Sequence, residues 1–137
     1  MIRLIHDLLF NSADKFPSKD VVFFKKEKLT YEELLNQSLA LHSFFRTISI
    51  RKGDRIAFFL EKRLEKVVSI FGISMAGAVM VPIRKLTYPH QVDYIINNSE
   101  SRCLITTQSK FDQLRDEYLS HMTSLEYVVL LDPKPEK

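Results

Sequence analysis

Residues 67–83 of this 137-residue chain read VVSIFGISMAGAVMVPI and contain no charged side chain. Lys66 and Arg84 bound the stretch on its two sides. Because 27% of the chain is charged, a stretch of this length needs protection from water. A membrane, a folded core and a partner protein are the three environments that would provide it.

The periodicity of this stretch changes halfway, and the change favours a folded core. Residues 78–83 form a β-branched run, and Gly77 stands before it, where a helix commonly ends in a left-handed residue. A transmembrane helix needs about 20 apolar residues, so we predict a helix followed at once by a buried strand, and no transmembrane segment. The helical spacing is carried by Leu64, Val67, Val68, Phe71 and Met75.

The rest of the chain also alternates predicted strands with predicted helices. Helical patterns fall between the strands and are typical of βαβ units. We therefore predict an α/β fold with a mainly parallel sheet and flanking helices. Continuous apolar runs predict strands at 55–60, 79–83, 103–106 and 127–131. The helices are predicted at about 62–76, 88–98 and 109–122.

The N-terminal third of the chain does not follow this alternation, and its sequence predicts two helices and a hairpin. The first sixteen residues have the pattern of an amphipathic helix and not of a signal peptide. Residues 21–24 and 28–29 predict a short hairpin. Thr30 and Glu33 have the spacing of a capping box, and the residues flanking it, Leu29 and Leu34, have that of a hydrophobic staple. The helix that follows is expected to bury Leu34, Leu41, Phe45 and Ile48.

The length, the charge and the cysteine count of the chain limit the number of domains, the kinds of partner and the compartment that we predict. We predict one α/β domain over residues 1–131 and a tail at 132–137, since 137 residues suffice for one core. The net charge is +3, and most basic residues are interleaved with acids, so we predict no nucleic-acid partner. Cys103 is the only cysteine, which excludes an intrachain disulfide and favours a reducing, cytoplasmic compartment.

The residue types that carry chemistry are present but are not grouped. A phosphate-binding loop needs clustered glycines, whereas Gly53, Gly72 and Gly77 are dispersed. Cys103 falls inside a predicted buried strand and is interpreted as a core residue. The histidines lack metal-ligand spacing and are expected at surface or rim positions. They are His6, His42, His90 and His121.

One polar segment, Thr106–Ser109, follows a predicted strand at the end where α/β folds bind ligands. We interpret Ser109 as a helix N-cap, with Asp112 at the third helical position. The sequence therefore predicts no catalytic, cofactor-binding or metal-binding residue in this chain.

The order of these pieces resembles the N-terminal part of the adenylate-forming enzymes, which include AMP-forming acyl-CoA synthetases and the adenylation domains of peptide synthetases. The LTYEEL block at 29–34 and the AGAVMVP block at 76–82 carry most of its specificity. Residues 60–72 and 89–96 resemble acyl-CoA ligases slightly more than they resemble peptide-synthetase domains. The likeness also runs through 14–24, 51–60, 67–83 and 92–106.

Two departures from the family pattern lie in one connection. Arg84-Lys85 stands where the family usually has Asn or Asp followed by Pro. Tyr88 precedes Pro89, where the family prefers a Thr or Ser cap. Both departures concern local turn geometry.

The resemblance implies a parent enzyme that uses ATP, Mg and CoA to convert a carboxylate substrate into an acyl-adenylate and then a thioester. The family's phosphate loop and catalytic residues lie beyond the matched region, so no catalytic residue carries over to this chain. The remainder of the adenylation domain is the implied partner, and the isolated piece is expected to be inactive and to self-associate. A stand-alone α/β binding or interaction module is the alternative.

Overall fold

The computed structural model describes residues 2–132, and the predicted tail lies outside the described residues from position 133 onward. The chain forms two compact units. The N-terminal unit comprises the residues up to Gly53 together with Lys62–Val79, and the sheet unit comprises Asp54–Glu61 and the residues from Met80 onward. The single domain over residues 1–131 stays a prediction.

The N-terminal unit is built from three helices and a hairpin. The strands β1 and β2 pair antiparallel, which confirms the predicted hairpin. Lys25 in the turn between them has a φ of 56°. The elements are α1 (Ile5–Lys15), β1 (Asp20–Phe24), β2 (Glu27–Thr30), α2 (Tyr31–Thr47) and α3 (Leu64–Met75).

The start of α2 is fixed by the predicted capping box. The Glu33 backbone N–H donates to Thr30 Oγ1 at 3.1 Å, and the Thr30 N–H donates to Glu33 Oε1 at 3.3 Å. Leu29 and Leu34, the staple residues, are both buried in one cluster with Leu9 of α1. Along α2, Leu34 and Phe45 are buried as predicted. Leu41 is only half-buried, and so is Ile48, which lies just beyond the helix as its C-cap.

The end of α3 is a Schellman turn centred on Gly77, which has a φ of +70°. The Gly77 N–H donates to Ser74 O at 3.0 Å, and the Ala78 N–H donates to Ile73 O at 3.2 Å. The uncharged stretch that begins at residue 67 therefore forms a helix and then a strand, as its periodicity predicts. In the part of the chain from Ile2 to Asp132, no helix is both long and apolar enough to cross a membrane.

The sheet unit is a four-stranded parallel sheet with strand order β4-β3-β5-β6, which confirms the predicted α/β class. Pairing of β3 with β5 joins Ile56 to Cys103 and Phe59 to Thr106. The elements are β3 (Arg55–Phe59), β4 (Val79–Ile83), α4 (Pro89–Ser99), β5 (Cys103–Thr107), α5 (Gln108–Arg115), a 3₁₀ turn (Leu119–His121) and β6 (Tyr127–Leu131).

One face of this sheet packs against α4 and α5. The residues of β3 from Ile56 to Phe59 are at most 2% exposed, as expected for a central strand of a parallel sheet. The apolar residues of this face form one cluster, which comprises Ala57, Phe59, Ile83, Val92, Ile96, Leu104, Leu114 and Met122.

Two predicted elements of this unit differ from those in the structure. The strand at 79–83 was expected to be buried, but β4 is an edge strand, Val79 is 50% exposed and only Ile83 is buried. The helix expected at 109–122 ends at Arg115 and is followed by the separate 3₁₀ turn. The chain turns between them, and this turn brings Met122 into the cluster that holds Leu114.

The amino ends of the strands are joined through Arg102. Its guanidinium donates to Asp54 Oδ2 at 2.8 Å and to Glu126 Oε2 at 2.9 Å. These two carboxylates raise the pKa of Arg102, and its backbone N–H donates to Arg55 O at 2.8 Å. Arg102 therefore links the segments that lead into β3, β5 and β6.

We predict that Gly77→Val lowers the free energy of unfolding by more than about 1 kcal/mol, because a β-branched residue is strained at positive φ. Crowding adds little, since an added Cβ would lie 3.6 Å from the nearest Lys52 atoms. Urea unfolding measures the effect, and Gly77→Asn is the control, since Asn adopts this conformation more readily. An unchanged urea midpoint for the valine variant would show that the turn does not need glycine.

We predict that Thr30→Ala costs about 0.5–2 kcal/mol of stability, the usual loss for a helix N-cap. Glu33→Ala is expected to cost less, because Glu33 holds only the Thr30 N–H. The two losses are expected to be coupled in a double-mutant cycle, since each side chain orients the other. Strict additivity of the two losses would argue against a reciprocal capping box.

Candidate functional site

The carboxyl ends of β3 and β5 are the place in this sheet where a ligand site is expected. From β3 the chain moves outward to β4, and it then crosses back to β5 on the opposite side of β3. Open α/β sheets bind ligands at such a reversal, outside the carboxyl ends of the strands. The residues that follow Phe59 and Thr106 are therefore the first candidates.

The threonines at the end of β5 have structural partners. Thr106 is buried, and its Oγ1 donates to Phe59 O at 2.8 Å. Thr107 is the N-cap of α5, and its Oγ1 accepts from the Lys110 N–H at 3.4 Å. The prediction of Ser109 as the N-cap is wrong, because the extended backbone of Thr107 leads directly from strand into helix. Asp112 instead accepts from Gln108 Nε2 at 2.9 Å.

Lys110 is the charged residue at this edge that sequence reasoning missed. It is only 9% exposed, and its Nζ lies 4.4 Å from the centroid of the Phe59 ring. The ammonium donates to Lys85 O at 3.0 Å. Glu61 Oε1 is 4.0 Å away on a side chain that is 69% exposed, so this ion pair contributes little.

Lys110 joins α5 to the connection that follows β4, because its ammonium donates to the Lys85 carbonyl. It makes one charge-assisted hydrogen bond and one cation–π contact. The one sequence signal was a lysine three residues after the end of a buried strand. That signal does not distinguish a buried lysine from a solvated one.

The connection held by Lys110 borders a cavity of about 580 Å³. The Thr87 N–H donates to Arg84 O at 3.0 Å and closes a tight turn. The rings of Tyr88 and His90 are stacked with centroids 6.0 Å apart. The cavity is lined by Arg84, Thr87, His90, Gln91, Tyr94 and Ile95.

Cys103 and the histidines were the other residues that could act as a nucleophile or a base, and their surroundings do not favour either role. Cys103 is fully buried, and burial raises the pKa of its thiol to about 12, which disfavours a thiolate nucleophile at neutral pH. His6 Nδ1 lies 2.9 Å from Ser74 Oγ, and burial lowers the pKa of His42. Between Ile2 and Asp132, no group of three or more His, Cys, Asp or Glu side chains could hold a metal ion.

The three glycines of the chain do not form a phosphate-binding loop. Gly53 lies in the turn before β3 and Gly77 ends α3, where both have positive φ. Gly72 lies inside α3, and an added Cβ there would be 2.7 Å from Leu41 Cδ2. None of the three lies between the carboxyl end of β3 or β5 and the following helix, where backbone N–H groups would receive a phosphate.

Comparison with known proteins identifies the family. The model of the AMP-binding enzyme family matches residues 9–137. The chain is 29% identical over 109 residues to a long-chain-fatty-acid–CoA ligase from Bacillus subtilis (strain 168), covering 80% of this chain and 20% of the ligase. It is 30% identical over 131 residues to gramicidin S synthase 2 from Brevibacillus brevis, covering 96% of this chain and 3% of the synthase.

A solved structure shows the same fold. The anthranilate CoA ligase AuaEII, crystallised with anthranoyl-AMP, superposes with a TM-score of 0.88 at 24% identity, over 94% of this chain and 25% of that one. Because the family model covers nearly the whole chain, the chain belongs to the AMP-binding enzyme family. It spans a quarter or less of the length of these three proteins.

We predict that Lys110→Met lowers the free energy of unfolding by about 1–3 kcal/mol, because it removes a charge-assisted hydrogen bond and a cation–π contact while keeping an apolar stem. Denaturant unfolding measures the loss. Lys85→Ala is the matched control, since the acceptor at residue 85 is its backbone carbonyl. Equal stability of the Lys110→Met variant and the unsubstituted chain would show that the contacts of Lys110 do not stabilise the fold.

Proposed function

We propose that this chain is the N-terminal portion of an enzyme that activates a carboxylate with ATP. The observation that carries the proposal is the match of residues 9–137 to the AMP-binding family together with the small share of each relative that the chain spans. The sequence blocks at 29–34 and 76–82 lie within that match and form the capped start of α2 and the turn from α3 into β4.

The proposed reaction of the whole enzyme has two steps. A carboxylate oxygen bonds to the α-phosphorus of ATP, and the bond from that phosphorus to pyrophosphate breaks. A thiol sulfur then bonds to the acyl carbon of the adenylate, its proton passes to solvent or a base, and AMP leaves. A thioester, AMP and pyrophosphate are therefore the products.

Coenzyme A is the acceptor thiol that we propose, and a fatty acid is the proposed carboxylate. The fatty-acid–CoA ligase among the relatives supports both choices, as do residues 60–72 and 89–96. The peptide synthetase relative is at a similar identity, so a carrier-protein thiol with an amino-acid substrate is the competing assignment. We propose a reducing, cytoplasmic compartment because the one cysteine of this chain, Cys103, is buried and free.

Within the enzyme, these residues act as a scaffold in this proposal. The rest of the adenylation domain is the partner and supplies the groups that hold ATP and Mg. A free sheet edge supports the need for such a partner, because among residues 2–132 β6 pairs with β5 alone. The residues of β6, YVVLL, include no lysine or proline to discourage pairing with another chain.

We predict that the 137-residue chain neither binds Mg-ATP with micromolar affinity nor catalyses carboxylate-dependent pyrophosphate exchange, because its three dispersed glycines do not build a loop whose backbone N–H groups converge on a triphosphate. Titration calorimetry and an exchange assay with fatty acids and amino acids test the two parts. A full-length acyl-CoA ligase serves as the positive control.

Light scattering and a hydrophobic dye complete this test on the same preparation. We expect the chain to self-associate or to bind the dye, because the rest of the proposed adenylation domain is not there to cover its apolar surface. Micromolar ATP binding or measurable exchange would contradict the scaffold role. A monomer that binds no dye would instead favour a self-contained binding module.

A further inference from the structure

The N-terminal unit contains a cavity of about 520 Å³, which we call the α1 cavity. It is lined by residues of α1, β1, the first turn of α2 and α3, among them Leu9, Ser12, Tyr31 and Phe71. None of its lining residues is charged. The volume falls in the range of small-molecule sites in proteins, so the α1 cavity is large enough to hold a ligand.

The α1 cavity has a buried floor and an exposed mouth. Leu9 and Leu34 are buried and form the floor, whereas Leu8 and Phe23 line the cavity and are exposed. A ligand can therefore enter from solvent past Leu8 and Phe23 and lose its contact with water against Leu9 and Leu34.

A β-bulge in β1 supplies one wall of the α1 cavity. Asp20 pairs with Thr30 and Val22 pairs with Leu29, so Val21 is an extra residue in the strand. Successive side chains of a regular strand point to opposite faces, but residues 21–23 all line the cavity. Because a bulge redirects the side chains beside it, this irregularity gives the cavity more apolar wall than a regular strand would.

Two hydroxyl groups interrupt the apolar lining of the α1 cavity. They belong to Ser12 of α1 and Tyr31 of α2, and both residues are half-buried. In the part of the chain from Ile2 to Asp132, neither hydroxyl takes part in a hydrogen bond. A hydroxyl can donate and accept, so each of them gains when a ligand brings a polar group into the cavity.

The chemistry of the lining selects one kind of ligand. A carboxylate or an ammonium group would lose its hydration without meeting an opposite charge, which is costly. A pure hydrocarbon would leave the hydroxyls of Ser12 and Tyr31 unpaired and removed from water. An alcohol avoids both costs, because its chain is apolar and its hydroxyl can donate to one of these groups and accept from the other.

We propose that the α1 cavity binds a neutral alcohol with a hydrocarbon chain of medium length. The chain packs against Leu9, Leu34 and Phe71, and the ligand hydroxyl exchanges hydrogen bonds with Ser12 and Tyr31. The site lies wholly within the N-terminal unit. It does not rest on the adenylate-forming activity proposed above, and its ligand differs from the carboxylate substrate of that reaction.

1-Octanol is the probe for this site, and NMR of the 137-residue chain with labelled Leu and Val methyl groups is the readout. Shifts and contacts to the alcohol are expected at the Leu and Val residues that line the α1 cavity and not at those of the sheet unit. 1-Hexanol is expected to bind about tenfold more weakly, because it buries two fewer CH₂ groups. Octanoate is expected not to bind at these residues, since its charge would be desolvated.

Heptyl methyl ether, an isomer of 1-octanol, tests the role of the two hydroxyls. It accepts a hydrogen bond but cannot donate one, so we expect it to bind several-fold more weakly than octanol. A double variant, Ser12→Ala with Tyr31→Phe, is expected to weaken octanol binding about tenfold and to remove its preference over the ether. Tyr94→Phe is the matched control, because Tyr94 does not line the α1 cavity.

Several results would overturn the proposal. An unchanged preference for octanol in the folded double variant would show that the hydroxyls do not recognise the alcohol. Methyl shifts spread over both units, no binding up to the solubility of octanol, or tighter binding of octanoate would show that the α1 cavity is not a site for neutral alcohols. Shifts at Leu8 that grow with protein concentration when no alcohol is present would show that a second copy of the chain covers the mouth instead.

Discussion

The parallel pairing of β3 with β5 is the interaction on which the rest of the sheet unit depends. Its register places Phe59 beside Thr106, so the buried hydroxyl of Thr106 reaches the Phe59 carbonyl. It also sets α5 where Lys110 lies over the Phe59 ring and holds the Lys85 carbonyl. A change in this pairing would therefore alter the β4–α4 connection as well as the sheet.

Periodicity predicted most of the fold because the buried residues of each element are set by its own geometry. The four parallel strands and the α2 cap follow from local patterns of apolar and capping residues. The position of a strand within the sheet is not encoded locally, and for this reason the exposure of β4 was not foreseen. The break between Leu114 and Met122 was missed because both residues face one core despite the turn between them.

The candidate site was harder to predict, because its properties arise from residues that are distant in sequence. The sequence placed a polar segment at the carboxyl end of β5, but the structure shows Thr106 and Thr107 engaged in internal hydrogen bonds. Lys110 looked like a surface lysine until the fold placed it against Phe59. The basic pair at 84–85 was noted only as a departure from the family pattern, and the place of Arg84 in the lining of a cavity required the structure.

We propose that these residues are one structural part of an adenylate-forming enzyme and that its ATP-binding groups lie elsewhere in the same protein. The intact mass of the natural gene product, measured by mass spectrometry, tests it most directly. We expect a mass several-fold larger than the 16.0 kDa of this chain, since the chain spans only a small share of each CoA ligase. A natural product of 16.0 kDa would contradict the account.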